Sequence, residues 1–168
     1  MSNNPDSLLA RVIDEARRLK IPVSQRIDPH VRINSRAVGR FGLCTKKDGY
    51  FTIEISERML TAPEKSCRQT LAHEVLHTCP GCTNHQARWK GYAAAMNAAY
   101  GYDIKRTGDC AALGVEETRI ARYTVQCEKC GAVISRQRKS AVIIHPERYR
   151  CKCGGRLIFK TSAQEDSI

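Results

Sequence analysis

At 168 residues the chain has room for one domain of ordinary size, with or without a small appendage, and its 42% hydrophobic and 27% charged residues exclude a wholly disordered or fibrous protein. No stretch approaches the ~20 apolar residues of a membrane span, and Met1–Asp6 lacks the basic-then-apolar start of a secretion signal, so a cytosolic chain with no membrane partner is expected. The net charge of +11 is uneven: residues 119–160 hold eleven Lys and Arg against Glu128 and Glu147, a net +9, which assigns a polyanion partner to the C-terminal quarter.

In chain order, Asp6 or Ser7 is placed to cap a helix running to about Lys20, with Leu8, Leu9, Val12, Ile13, Ala16 and Leu19 at helical spacing. Ile21-Pro22 ends it. Val31–Asn34 is the first strand, and Lys46-Lys47-Asp48-Gly49-Tyr50 turns between two further strand-like runs, Arg40–Leu43 and Tyr50–Ile55. These make a small, mainly antiparallel sheet for helices to cover.

Thr61-Ala62-Pro63-Glu64 has the form of a capping box, so a second helix is expected from there to about Thr78, with Cys67, Leu71 and Val75 on its buried stripe. It carries His73-Glu74-Val75-Leu76-His77. Random placement of this composition predicts about 0.01 such His-Glu-x-x-His matches, so chance is a poor explanation for this zinc-hydrolase helix motif. Histidines four apart share a helix face and reach one ion. Cys79-Pro80-Gly81-Cys82 then breaks the helix, and Thr83 or Asn84 caps a third from His85 to about Tyr100, closed by Gly101. A tight turn folds His85 back as the third ligand, leaving one position for water, with Glu74 as general base.

From Ala121 onward, short β-like runs at 123–125, 132–134, 141–144 and 156–159 are punctuated by cysteines. Nine cysteines in a cytosolic chain point to metal ligands and buried thiols rather than disulfides. Cys127-x-x-Cys130-Gly131 and Cys151-x-Cys153-Gly154 have the spacing of a zinc ribbon, a Cys₄ tetrahedron held on two glycine-assisted turns. Around them lie Arg136, Arg138, Lys139, Arg148, Tyr149, Arg150 and Lys152, cations with an interleaved aromatic that suit phosphates and stacked bases, or simply a solvated basic face. Cys79 and Cys82 pin their turn as buried thiols, bind a second metal with Cys110, or form a redox pair, although the βαβ context for the last is missing. Cys44, Cys67 and Cys110 are expected in the core. Trp89 packs behind the zinc ligand or walls a substrate cleft.

His73-Glu74-Val75-Leu76-His77, the later His85 with Trp89-Lys90, and Asn34-Ser35-Arg36 to Arg40-Phe41-Gly42 together resemble the SprT-like metalloproteases, the group that includes Spartan. The resemblance extends over about residues 5–160, because many bacterial members also end in a zinc ribbon. It implies an α+β, zincin-like core of a small antiparallel sheet and three helices, with His73, His77 and His85 on a catalytic zinc and Glu74 as base. It also implies DNA-stimulated cleavage of proteins crosslinked to DNA. Gln86 stands after His85 where many members have glycine.

The expected organisation is a metalloprotease domain at 1–118, a basic zinc ribbon at 119–160 and a flexible tail at 161–168. Two zinc ions are expected, one catalytic and one structural. The partners are DNA, single-stranded or at a junction, and the proteins fixed to it, met by a monomer that is cytoplasmic and nucleoid-associated in a bacterium or phage and nuclear in a eukaryote. The alternative is a DNA-binding adaptor in which the histidine site only stabilises the fold.

Overall fold

A computed structural model describes residues 2–117 and 121–159, and the chain divides into two compact units, Met1–Glu117 and Thr118–Ile168. The expected tail at 161–168 lies outside the described residues. Among the described residues no helix is long and apolar enough to cross a membrane.

In the first unit, helix α1 spans Pro5–Arg18 and buries Leu8, Leu9, Val12 and Ala16, the expected apolar stripe. Its cap is Asn4, whose side chain accepts from the Ser7 N–H, rather than Asp6 or Ser7. Asp6 is engaged elsewhere: its carboxylate accepts from the Val31 N–H at 2.8 Å and meets His30 Nδ1 at 3.0 Å, which ties the start of α1 to the strand that follows. Those bonds, the one to Val31 first, hold the Asp6 carboxyl below its usual value.

Three strands form the sheet of this unit: β1 (Arg32–Asn34), β2 (Gly42–Lys47) and β3 (Tyr50–Ser56), in the order β1-β3-β2. The β2–β3 pair is an antiparallel hairpin closed by Asp48 and Gly49, both at positive φ as a two-residue turn requires. By contrast β1 runs parallel to β3, so this three-stranded sheet is mixed. The connection 35–41 makes that possible: it leaves β1 where Asn34 pairs with Ser56 and enters β2 where Gly42 pairs with Ile55, passing the end of β3.

Helix α2 (Glu64–Leu76) is the centre of the unit and contacts α1, β2, β3 and α3 (Ala87–Tyr100). Cys67, Leu71 and Val75 are fully buried as their spacing predicts, but Ser66, Gln69, Thr70, Ala72 and Leu76 are buried too, because neighbours cover most of the helix circumference. The capping box does not form. Residues 57–60 make a 3₁₀ turn whose end is Thr61; its hydroxyl bonds to the Arg58 carbonyl, and α2 begins after Pro63 with no side-chain cap. Helix α3 ends at Gly101 in the left-handed region, as expected, and a short α4 (Cys110–Leu113) follows.

Glu15 is the buried charge that ties α1 to the chain after α3. Its carboxylate accepts the Tyr102 hydroxyl and lies 3.3 Å from Arg11 Nε and 3.6 Å from Arg68 Nη1, while the Tyr100 hydroxyl bonds to its carbonyl. A buried carboxylate is tolerated only when its lone pairs are taken in this way.

The second unit is a three-stranded antiparallel sheet, β4 (Tyr123–Cys127), β5 (Val133–Arg136) and β6 (Leu157–Phe159), in the order β5-β4-β6. The run Ala141–Ile144, expected as a strand, is instead one helical turn, α5. Four apolar residues are too few to separate the two periodicities, and the turn is closed by the Ser140 carbonyl, which accepts from the Ile143 and Ile144 N–H groups, with Pro146 following. Among the described residues the hydrophobic core cluster of this unit is Val125, Cys127, Ile143 and Leu157.

The Glu15 network yields a stability prediction. Tyr102→Phe should lower the unfolding free energy by about 1–2 kcal/mol in a urea titration, with no change in metal content.

Candidate metal centre and cleft

The last turn of α2 places His73 and His77 one above the other, and α2 stops at Leu76 so that His77 is its C-terminal cap. Residues 79–82 then turn sharply: Pro80 and Gly81 (φ 73°) lie between a Cys79 carbonyl and a Cys82 N–H bonded at 3.1 Å. The Asn84 side chain accepts from the Gln86 N–H, and α3 starts at Ala87, so His85 lies just before that helix rather than opening it. This still returns its ring to the other two, as the expected tight turn requires.

The three Nε2 atoms converge, with 3.4 Å between His73 and His77, 3.1 Å between His77 and His85, and 2.9 Å between His85 and His73. Outside the triangle, His73 Nδ1 bonds to the Lys105 carbonyl at 2.9 Å and His77 Nδ1 to the Cys82 carbonyl at 2.7 Å. A carbonyl only accepts, so each of these Nδ1 atoms carries the proton and its Nε2 presents a lone pair inward. Four-coordinate zinc at ~2.0–2.1 Å from nitrogen separates its ligands by about 3.3–3.4 Å. The triangle fits such an ion. Burial, then the neighbouring imidazoles, pushes His73 down to about 4, and burial likewise lowers His85, so these two rings are neutral ligands at neutral pH. Trp89, 2% exposed, backs all three rings at centroid distances of 4.5–5.7 Å and is packing behind the cluster.

Glu74 projects from the same helix turn toward β2. One residue that its motif does not reveal makes room for it. A Cβ at Gly42 would stand 2.6 Å from Glu74 Oε1 and 2.8 Å from its Cγ, so only glycine admits the carboxylate there. Burial pushes the Glu74 carboxyl up to about 8, opposed by the Cys44 N–H and by Arg40. A positive charge at the histidines would act in the same direction as Arg40 and favour the carboxylate.

His73, Glu74, His77 and His85 line one cleft of about 940 Å³ with residues of β2 and of the 79–83 turn. Strand β2 is an edge of its sheet. The two-residue turn makes Lys47, Thr45 and Leu43 the residues bonded to β3, so Gly42, Cys44 and Lys46 direct their backbone groups outward along the cleft.

The remaining cysteines of this unit separate by role. Cys79 and Cys82 are buried, and burial raises both thiols, Cys79 to about 12. Cys110 lies beside Arg58 and Glu117 instead, and the only ligand clusters among the described residues are the three histidines and the four cysteines of the second unit. The backbone of the turn reaches the cluster: the Cys82 carbonyl accepts from His77 Nδ1. Cys67 and Cys110 are buried as expected, while Cys44 is half-buried in the cleft wall.

In the second unit Cys127 and Cys153 have their sulfurs 3.5 Å apart, as do Cys130 and Cys151, and all four lie within 4.8 Å. Zinc at ~2.3 Å from sulfur needs edges of about 3.8 Å, so the set fits a closed tetrahedral site. Gly131 and Gly154 turn at positive φ behind the second cysteine of each pair. A Cβ at Gly155 would sit 2.5 Å from Cys127 Sγ, so glycine is needed there as well. Backbone N–H groups of Cys130 and Lys129 hold the Cys127 thiol below its usual value, which favours the thiolate ligand.

The seven candidate nucleic-acid contacts are all exposed. Register divides them. Arg136 pairs opposite Tyr123, and Arg138 and Lys139 follow it at that end of β4, whereas Arg150 bridges to Arg156 beside the Leu157–Cys127 pair at the other end, with Arg148, Tyr149 and Lys152 next to it. Four residue steps of strand, about 13 Å, lie between the two groups. Arg150 Nη1 also donates to the Glu147 and Tyr149 carbonyls, and Arg148 lies 3.8 Å from Glu147.

A model of the SprT-like family matches residues 11–108, more than half of the chain. No curated protein matches it.

Two zinc ions per chain are expected by elemental analysis. His73→Ala/His77→Ala should lose one and Cys127→Ser/Cys130→Ser the other; a single ion in the wild type would contradict the two-site arrangement.

Proposed function

Because the chain belongs to the SprT-like family, we propose that its first unit is a zinc-dependent metalloendopeptidase, and that the second is a zinc ribbon that holds it on DNA. The observation that carries this reading is the convergence of three Nε2 atoms beside the Glu74 carboxylate, in a cleft that runs along the free edge of β2. A site built only to stabilise the fold has no use for an open cleft or for Glu74, and is usually closed by a fourth protein ligand.

The residues divide the work as follows. His73, His77 and His85 would hold the ion through Nε2, with the Lys105 and Cys82 carbonyls fixing the tautomer of the first two rings. Zinc there supplies Lewis acidity, polarising a peptide carbonyl and acidifying a water molecule. Glu74 takes the proton of the attacking water and returns it to the leaving amide nitrogen. The outward backbone groups of β2 pair with the extended substrate and present its bond to Glu74, the β-strand addition by which sheet edges bind peptides.

The ribbon's net +9 segment suits a single strand or a junction, where phosphates meet cations and bases stack on Tyr149 or Tyr123. Binding there raises the effective concentration of any protein fixed to the same strand, so tethering supplies selectivity that an open cleft lacks. The reading thus extends to DNA-stimulated cleavage of DNA-bound or DNA-crosslinked proteins by a monomer, in the nucleoid of a bacterium or phage or in a eukaryotic nucleus.

Glu74→Gln should keep both ions yet cut proteolysis of a basic, DNA-bound protein by roughly 10²-fold or more. Equal cleavage by both proteins, or none by fully loaded wild type, would leave the adaptor reading. Affinity of the full chain for single-stranded DNA should fall steeply with salt, and Arg148→Ala/Arg150→Ala should reduce the slope of log affinity against log salt by about 1–2; a flat response would remove nucleic acid as the partner.

A further inference from the structure

The cleft carries charge beyond its reacting groups. Of its lining residues, only Glu74, Arg26 and Lys46 bear formal charge apart from the histidines, and Glu74 is already committed to the reaction. Three other cations of this unit are engaged by the chain itself: Arg40 lies 2.6 Å from Glu54, Lys105 lies 2.6 Å from Asp103, and Arg88 donates to the Pro80 carbonyl. Among the described residues neither Arg26 nor Lys46 has a carboxylate within 4.0 Å. Each instead lies against an aromatic ring, Lys46 Nζ 5.3 Å from the centre of Phe51 and the Arg26 guanidinium 5.8 Å from that of Tyr50. Such contacts fix the direction of a cation and leave its charge intact.

Their position relative to Glu74 follows from register. Gly42, Cys44 and Lys46 stand opposite Ile55, Ile53 and Phe51, so their side chains share the face of the sheet that buries Ile53 and Ile55. Gly42 is the residue under Glu74, and the Cys44 N–H faces the same carboxylate. Lys46 lies two residues further along, about 7 Å at ordinary strand rise, beyond the end of the covered sheet. Arg26 lies at the hairpin turn, its Nη1 close to Gly49. A peptide extended along the outward edge of β2 advances at the same ~3.3 Å per residue, so its second or third residue from the bond beside Glu74 comes abreast of these two cations.

We propose that Lys46 and Arg26 make the cleft selective for peptides carrying Asp or Glu two to three residues from the cleaved bond, on the side that lies along β2. This rests on the protease reading for the position of the bond, but not for the charge preference. The same cations would also attract a phosphate backbone. An acidic peptide is favoured because outward β2 backbone groups, which pair with a peptide and not with a nucleic acid, run beside them to the reacting residues.

The test uses the full chain in two forms. Zinc-loaded wild type digests an unstructured peptide library with single-stranded DNA present, and cut sites are read by mass spectrometry. Glu74→Gln is titrated with a fluorescent peptide bearing Glu or Lys at the third residue, without DNA. Cut sites should be enriched in Asp and Glu two to three residues from the bond on one side, the Glu peptide should bind roughly 3–10-fold tighter at low salt, and Lys46→Glu/Arg26→Glu should reverse both preferences. Lys46→Gln/Arg26→Gln, which adds no new charge, should abolish them. Cleavage without acidic enrichment, or enrichment that survives the reversal, overturns the proposal and leaves the protease reading standing. Charge-selective binding without cleavage by wild type overturns the protease reading and leaves the selectivity. Loss of DNA affinity in the reversed variant with unchanged peptide preference assigns the cations to nucleic acid and overturns the proposal.

Discussion

Three imidazole Nε2 atoms lie within 3.4 Å of one another, and the two whose tautomers are fixed turn their lone pairs on each other, an unfavourable arrangement until a cation lies between them. Much of the first unit exists to impose that arrangement. Helix α2 is buried on most of its circumference, so it cannot rotate to release His73 and His77. The turn at 79–82 and the loop at 103–105 supply carbonyls that fix two ring tautomers, and Trp89 stops the rings from swinging backward. In this scheme folding energy from the α1–α2–sheet core holds a cluster that is unfavourable by itself, and a bound ion returns part of that energy as metal affinity.

The chemistry of the histidine cluster was legible because ligand spacing is a local property. His-x-x-x-His on a helix decides its own geometry, and Cys-x-x-Cys with Cys-x-Cys does the same on turns. The supporting contacts were not legible, for a definite reason: backbone carbonyls such as those of Lys105 and Cys82 carry no side-chain signature, and their use depends on where a distant loop lands. Gly42 was visible as a glycine near a strand start, but nothing nearby in sequence indicates that the atom it must avoid belongs to Glu74, thirty-two residues later. Two helix starts failed in the same way. Asp6 and Thr61 have cap chemistry, yet tertiary partners or a preceding turn claimed them, and the four-residue run at 141–144 was too short for its period to be read.

The two units differ in what stabilises them. The first has a core of more than twenty buried residues and an internal carboxylate network, and its histidine cluster lies at the margin of that core. Among its described residues the second has four in its hydrophobic core cluster, one of which is itself a metal-ligand candidate. An ion at the four cysteines would therefore be the main source of order in the second unit, whereas at the histidines it would add to a fold that already stands. Glycine is needed in both for the same steric reason, at Gly42 and Gly155, where a backbone must approach a reactive atom closely.

Trp89 is the single tryptophan of the chain, and its indole packs on all three histidine rings. The tryptophan emission of the whole protein therefore originates at one place, the wall behind the histidine cluster. Any event that moves those imidazoles alters the quantum yield of that one fluorophore, while the basic module contains no tryptophan. The molecule thus carries its own optical gauge of the cluster.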